Sequence, residues 1–168
     1  RFGMQQNWWY DGRRDVVAST QGALDYLTYL NEMFDGNWLH ALAAYNSGEG
    51  RVQRAIKANK RAGKPTDFWN LNLPKETRAY VPKLLALADI LKNKDEYAYA
   101  WPEVENVAVI EVVDIGSQVD LAFAAELAGM SLKELHGLNP GFNRWATSPE
   151  GPHRLILPLD KAAAFSQA

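Results

Sequence analysis

Ala43-Ala44-Tyr45-Asn46-Ser47-Gly48-Glu49-Gly50-Arg51-Val52 is the stretch that decides how this chain is read. An apolar helix stops there at a polar, glycine-rich turn, and a second helix begins. Asn and Gly are ordinary stop signals, so one reading is a helix C-cap in an all-α domain. The other reading is chemical. The turn sets a tyrosine ring and an asparagine amide beside Gly48 and Gly50, where backbone can approach a ligand closely. An aromatic face next to an amide suits an N-acetylated sugar: the ring packs on the pyranose and the amide reads the acetamido group.

Working outward, Val17, Leu24, Leu27, Leu30 and Phe34 recur at helical spacing and predict one amphipathic helix over 15–34. Asp35-Gly36-Asn37 ends it, and Asn37 is placed to cap a helix over 38–45. Leu39, Leu42, Ala43 and Ala44 make that helix apolar nearly all round, so it is expected at the centre. A more polar helix follows over 51–61. A loop then carries Phe68, Trp69, Leu71 and Leu73 into the core. The last helix of this half starts near Pro74 and runs to about Asn93. Pro82 lies inside it and is expected to break or kink it near Tyr80, turning that ring out of the bundle. The alternative for Tyr80 is a half-buried packing ring.

Past an aromatic linker over 93–106, with Tyr97, Tyr99 and Trp101, the patterning changes. Residues 107–113 are rich in Val and Ile and predict a strand. Helices are expected over 119–128 and 131–138, separated by a Gly129 stop and a Ser131 cap. A short strand is expected over 153–157.

Composition limits the possible functions. The chain has 168 residues, 47% apolar and 23% charged, ordinary for a globular protein. A formal charge of −2 gives no strong polybasic surface and argues against nucleic acid as a partner. No apolar run approaches the roughly 20 residues that span a bilayer. Zero cysteines exclude disulfides and thiolate metal sites, and His40, His136 and His153 lack metal-ligand spacing. Six tryptophans and seven tyrosines are many for this length. Most are expected in the core, although sugar sites use such rings.

A second string, Pro74-Lys75-Glu76-Thr77-Arg78-Ala79-Tyr80-Val81-Pro82-Lys83, gives the first one its context. Together, A-A-Y-N-S-G-x-G-R-V and E-T-x-x-Y-V-x-K resemble the soluble-lytic-transglycosylase fold family, which cuts bacterial peptidoglycan. Asp11-Gly12-Arg13-Arg14-Asp15-Val16-Val17-Ala18-Ser19-Thr20, Phe34-Asp35-Gly36-Asn37-Trp38 and Lys64-Pro65-Thr66-Asp67-Phe68-Trp69 narrow the resemblance to its membrane-bound lytic murein transglycosylase D branch. The match runs in order over about 10–93. In the C-terminal part, L-A-G-M-S-x-x-x-L-x-x-L-N-P and a terminal L-I-L-P are similar to a LysM peptidoglycan-binding module. Ser117-Gln118-Val119-Asp120 departs from that module's Gly-Asp-Thr-Leu, and residues 142–152 make a longer loop. Both departures fall where such modules bind N-acetylglucosamine.

The resemblance implies an α+β chain: a mainly helical, lysozyme-like partial lobe over 1–92, a linker over 93–106, and a β-α-α-β LysM-like domain over 107–168. It implies a lyase acting between N-acetylmuramic acid and N-acetylglucosamine. One glutamate protonates the glycosidic oxygen, then takes the proton of the muramyl C6 hydroxyl to give a 1,6-anhydro end. That scheme differs from hydrolases with a carboxylate pair. No cofactor and no metal are implied.

In the family the acid glutamate, usually followed by serine, precedes a G-x-x-Q-x-x-P-x-T segment. Gly3-Met4-Gln5-Gln6 imitates that segment but lacks its proline, and it reads as the following loop. With a start at Arg1, the chain is therefore expected to be a C-terminal piece with no catalytic acid of its own. A lipid anchor and an associated N-terminal fragment are expected upstream, with a periplasmic, outer-membrane setting. Carried onto this sequence, Tyr45, Asn46, Ser47 and Glu49 bind glycan strands, and Tyr80 supports the reacting centre. Glu76 reads as a helix-start charge, Glu49 as a solvated turn residue, and Asp11 and Asp15 as salt-bridged helix-start residues. Two alternatives stand beside this reading: a non-catalytic peptidoglycan-binding module, and a goose-type lysozyme-like hydrolase.

Overall fold

Asp15 opens the first helix. Its Oδ1 accepts the Ala18 amide at 2.8 Å, satisfying one of the free N–H groups of α1 (Val16–Met33). The computed structural model describes residues 2–97 and 101–167, so Arg1 and Tyr99 lie outside it. The chain packs as two units. One spans residues 23–103. The other joins the residues up to 22 with those from 104 onward. The break between residues 103 and 104 falls inside the expected linker over 93–106; the difference from the expected division is that the residues up to 22, expected in the helical lobe, group with the C-terminal part.

In the helical unit, Asn37 caps α2 (Trp38–Ser47) by accepting the His40 amide, as the Asp-Gly-Asn signal predicts. The helix buries His40, Ala41, Ala43 and Ala44. α3 (Glu49–Arg61) follows after the single residue Gly48. A 3₁₀ turn, Phe68–Asn70, then leads to α4 (Lys75–Lys92). Leu30, Phe34, Val52, Phe68, Leu71, Leu73 and Val81 form the core with the α2 alanines.

Four sequence expectations change here. Leu24 is 54% exposed, because α1 turns Tyr26, Tyr29, Leu30 and Met33 inward instead. Trp69 is 62% exposed: it sits edge-on over Phe68 (5.0 Å), and Phe68 takes the core position. α4 runs as one helix through Pro82. Proline removes only one helical donor, and buried Thr77 and Val81 keep that stretch packed. Tyr80 is accordingly half-buried against the core and not turned out of the bundle. In the linker, a second 3₁₀ turn (Lys94–Glu96) brings Tyr97 back to α4, where its hydroxyl donates to Asp89 at 2.8 Å.

The other unit has the expected β-α-α-β order plus one more helix. β1 (Ile110–Asp114) pairs antiparallel with β2 (Arg154–Pro158), Val112 opposite Ile156. β1 begins later than residue 107, and Val107 and Val109 are exposed. α5 (Leu121–Leu127) is capped by Asp120. α6 (Leu132–Leu138) starts on a capping box in which Ser131 and Glu134 bond each other's backbone. α7 (Leu159–Phe165) is the unanticipated element, built on an alanine run that buries Ala162. Asn139 ties α6 to the sheet: its Nδ2 donates to the Leu135 and Ile156 carbonyls (3.0 and 2.8 Å), and its Oδ1 accepts the Ile156 amide (2.8 Å). The outer edge of β2 is thereby closed at Ile156.

The N-terminal residues complete this unit. Tyr10 bridges to Phe142, Asp11 N–H donates to Gly141 O, and Asn143 N–H donates to Trp9 O (both 2.8 Å). Gly141 has to be glycine, since a Cβ there would lie 2.8 Å from the Tyr10 ring. Asp15 does not pair with the neighbouring arginines. Its Oδ2 accepts from the Tyr10 hydroxyl (2.8 Å) and from Arg154 of β2 (3.1 Å). Asp11 does pair with Arg13, at 2.7 Å.

Candidate functional site

The junction of α2 and α3 gathers most of the expected site. Gly48 has φ 88° and donates its N–H to Ala44 O, so it closes α2 and starts α3 at once. That φ lies in the region reserved for glycine. The sharp turn sets the last residues of α2 beside the first of α3.

Tyr45 is exposed, and Asn46, Ser47 and Glu49 are half-buried. The Tyr45 ring lies 5.6 Å from that of Tyr26, tilted by 39°. Tyr26 stacks in turn on Tyr29 at 6.3 Å. The Tyr26 hydroxyl donates to Glu49 Oε2 at 2.7 Å, so Glu49 is held and not simply solvated. Asn46 Nδ2 donates to Glu76 Oε1 at 3.4 Å, joining the α2 end to the first turn of α4. Tyr80 follows Glu76 by one helical turn, on the same side of α4. Ser47 donates its hydroxyl to Ala43 O (2.8 Å), which commits its proton to the helix backbone.

The result is a tyrosine face flanked by an amide and two carboxylates. Both carboxylates sit in the first turn of a helix, where the helix dipole favours negative charge. Such a set can stack on a sugar ring and exchange hydrogen bonds with its hydroxyl and acetamido groups. Tyr26 is the member that sequence reading misses. Its signal was its place among the inward residues of α1, three before Tyr29 and four before Leu30.

A cavity of about 500 Å³ opens elsewhere in the helical unit, among Phe34, Asn37, His40, Gln53, Lys57 and Thr66. It includes none of the expected site residues. His40 is almost fully buried there, and burial holds its imidazole below the ordinary value.

In the LysM-like part, the two loops that depart from the module's pattern are bonded to each other. Leu121 N–H donates to Trp145 O (2.7 Å), Thr147 N–H to Val119 O (3.0 Å), and Gln118 Nε2 to Thr147 O (2.8 Å). Their facing backbone groups are therefore used internally.

Comparison with known proteins bears directly on this arrangement. Residues 1–68 match the family described as "Transglycosylase SLT domain", and residues 109–168 match "Lytic transglycosylase MltD, LysM-like domain". The chain is 48% identical over 161 residues to membrane-bound lytic murein transglycosylase D of Escherichia coli K12, covering 96% of this chain and 36% of that protein. The same protein of Escherichia coli O6:H1 gives the same figures. A putative tributyltin chloride resistance protein of an Alteromonas species is 38% identical over 71% of the chain and 56% of its own length. The chain thus spans about a third of the length of the murein transglycosylases it matches. Among the described residues, no helix is long and apolar enough to cross a membrane. With an SLT-domain match followed by an MltD-type LysM-like match, the chain is similar over nearly its whole length to part of lytic murein transglycosylase D.

Proposed function

We propose that this chain supplies the sugar-holding part of a lytic transglycosylase that cleaves peptidoglycan between N-acetylmuramic acid and N-acetylglucosamine, leaving 1,6-anhydro ends. The observation that carries the proposal is the cluster at the α2–α3 junction: Tyr26, Tyr45, Asn46, Glu49 and Glu76 linked by one ring contact and two hydrogen bonds. Tyr45 offers a stacking face, and the Asn46 amide is within reach of an acetamido group beside it. Tyr80, one helical turn beyond Glu76 on α4, supports the reacting centre.

Neither carboxylate of the cluster suits the acid role. Glu49 and Glu76 are each already engaged within the cluster, Glu49 accepting from the Tyr26 hydroxyl and Glu76 from the Asn46 amide. The proposal therefore assigns the proton donor to a glutamate outside this chain, contributed by a preceding segment of the same protein. The setting is periplasmic, at the outer membrane, in keeping with the relatives named as membrane-bound.

Two measurements test the reading. The chain should sediment with insoluble peptidoglycan sacculi, and Tyr45→Ala combined with Asn46→Ala should weaken that binding at least five-fold. The protein extended by its preceding segment should release 1,6-anhydro muropeptides, and the 168-residue chain alone should release none. Reducing-end products without anhydro sugars would instead assign a lysozyme-like hydrolase. Binding without turnover by the extended protein would leave a wall-binding module.

A further inference from the structure

Residues 51–64 hold six of the eighteen Lys and Arg residues of the chain and no Asp or Glu, so the remaining residues set twelve cations against twenty carboxylates. The formal charge of −2 averages over this division and conceals a local basic surface. Arg51, Arg54, Lys57, Lys60 and Arg61 lie on α3, Lys64 lies just beyond it, and all six are exposed. At about 3.6 residues per turn, the five on α3 fall within one half of the helix circumference, opposite buried Val52. Among the described residues none of the six forms an ion pair. Glu49, in the first turn, accepts from Tyr26, and Asp35 lines the cavity with Lys57 without pairing to it. Lys60 and Arg61 suit the C-terminal end of the helix dipole, a reason that does not extend to Arg51, Arg54 and Lys57.

An indole stands beside the last turns of this helix. Asn59 Nδ2 donates to Pro65 O and Asn70 O (2.7 and 2.9 Å), and Lys64 N–H donates to Asn59 O (2.9 Å). The loop after α3 is thereby folded back onto it. Trp69 rides on that loop, its amide bonded to Asp67 Oδ1 at 3.1 Å. Phe68 fills the core, and the Trp69 ring is left mostly in water. An indole, with an apolar body and one N–H donor, is at home where water meets an apolar layer.

We propose that the cationic face of α3 and Trp69 form a docking surface for an anionic phospholipid membrane. The cations meet lipid phosphates, and the indole enters the headgroup boundary. A convex half-cylinder of long, unpaired cations fits an extended sheet of phosphates, and the adjoining indole fits the apolar layer just beneath that sheet. The contact belongs to the folded helical unit, so it goes beyond the proposed function and is separate from the lipid anchor expected upstream. Because α3 starts at Glu49, it also sets the α2–α3 cluster at one end of a helix lying along the membrane.

The test uses the 168-residue chain and vesicles of phosphatidylcholine, alone or with about 30% phosphatidylglycerol, in a sedimentation assay at low and high salt. The chain should bind the anionic vesicles and not the neutral ones, and added salt should release it. Each cation removed should cost about five-fold in affinity, so Arg54→Gln, Lys57→Gln and Arg61→Gln together should weaken binding at least ten-fold. Spin-labelled lipid should quench part of the tryptophan fluorescence, and Trp69→Phe should abolish that part. Circular dichroism confirms that each variant stays folded. The triple variant should keep its affinity for sacculi, the readout of the proposed function, so the two readings can fail separately. Equal binding to neutral and anionic vesicles, or full anionic-vesicle binding by the triple variant, would overturn the proposal. Loss of sacculus binding in the triple variant with vesicle binding intact would make the face a wall contact and overturn it. Tighter binding to duplex DNA than to anionic vesicles at equal salt would make it a nucleic-acid surface and overturn it as well.

Discussion

Tyr10, Asp15 and Arg154 clasp the N-terminal stretch to β2, and their titration should give the stability of that unit two pH limits. Tyr10 is 3% exposed and donates to Asp15, and burial together with that carboxylate pushes its phenol from 10.0 up to about 12. A raised acid holds its proton longer in the folded state. Its stabilisation is therefore complete below pH 10 and is lost as pH rises toward 12, an interval worth about 3 kcal/mol. Asp15 runs the other way. Burial raises it, but the Ala18 amide, the Tyr10 hydroxyl and Arg154 together hold it below the ordinary carboxylate range. Its contribution is present above that range and is lost as pH falls through its own lowered value. The perturbation is Tyr10→Phe. Near pH 7 it removes one hydrogen bond to a charged group, about 1.5–3 kcal/mol. Urea unfolding from pH 6 to 12, with ultraviolet titration of the seven tyrosines, reads the effect. The wild-type advantage over Tyr10→Phe should hold to pH 10 and shrink above it, with Tyr10 among the late-titrating tyrosines. An advantage that stays constant across pH 10–12 would refute the reasoning.

Other changes follow from single contacts. Asn139→Ala leaves the Ile156 N–H and C=O and the Leu135 carbonyl without this partner, and should cost about 2–4 kcal/mol in urea midpoint, with faster hydrogen exchange at the Ile156 amide. Gly48→Ala forces an L-residue to φ 88° and should destabilise by about 1–3 kcal/mol in thermal unfolding. Gly50→Ala, inside α3 with only the Arg54 guanidinium 3.4 Å from its new Cβ, should instead be neutral or gain up to about 1 kcal/mol. Tyr26→Phe removes the hydroxyl that Glu49 accepts from and should weaken binding to sacculi two- to ten-fold while moving the unfolding midpoint little.

What the sequence discloses and what it conceals divide along chain distance. Asn37, Gly48, Asp120 and the Ser131–Glu134 box act on backbone groups two to four residues away, so the helix starts and stops they set are legible from the local sequence. Tyr45 and Asn46 belong to this class, because their placement follows from the turn that Gly48 permits. Contacts that close over long stretches leave no local trace. The Asp15–Arg154 pair spans 139 residues, and the polar, charged run around it reads like any helix start. The same blindness misplaces Leu24 and Trp69. Helical spacing says only that some face of α1 is apolar, and the choice between a leucine face and a tyrosine face is made by what packs against it. The site inherits both kinds of information. Its stacking ring and amide come from a local turn, whereas the hydrogen bond that fixes Glu49 crosses 23 residues to Tyr26. Substitutions at Tyr45 and Asn46 therefore test the motif, and only a substitution at Tyr26 tests the fold that aims it.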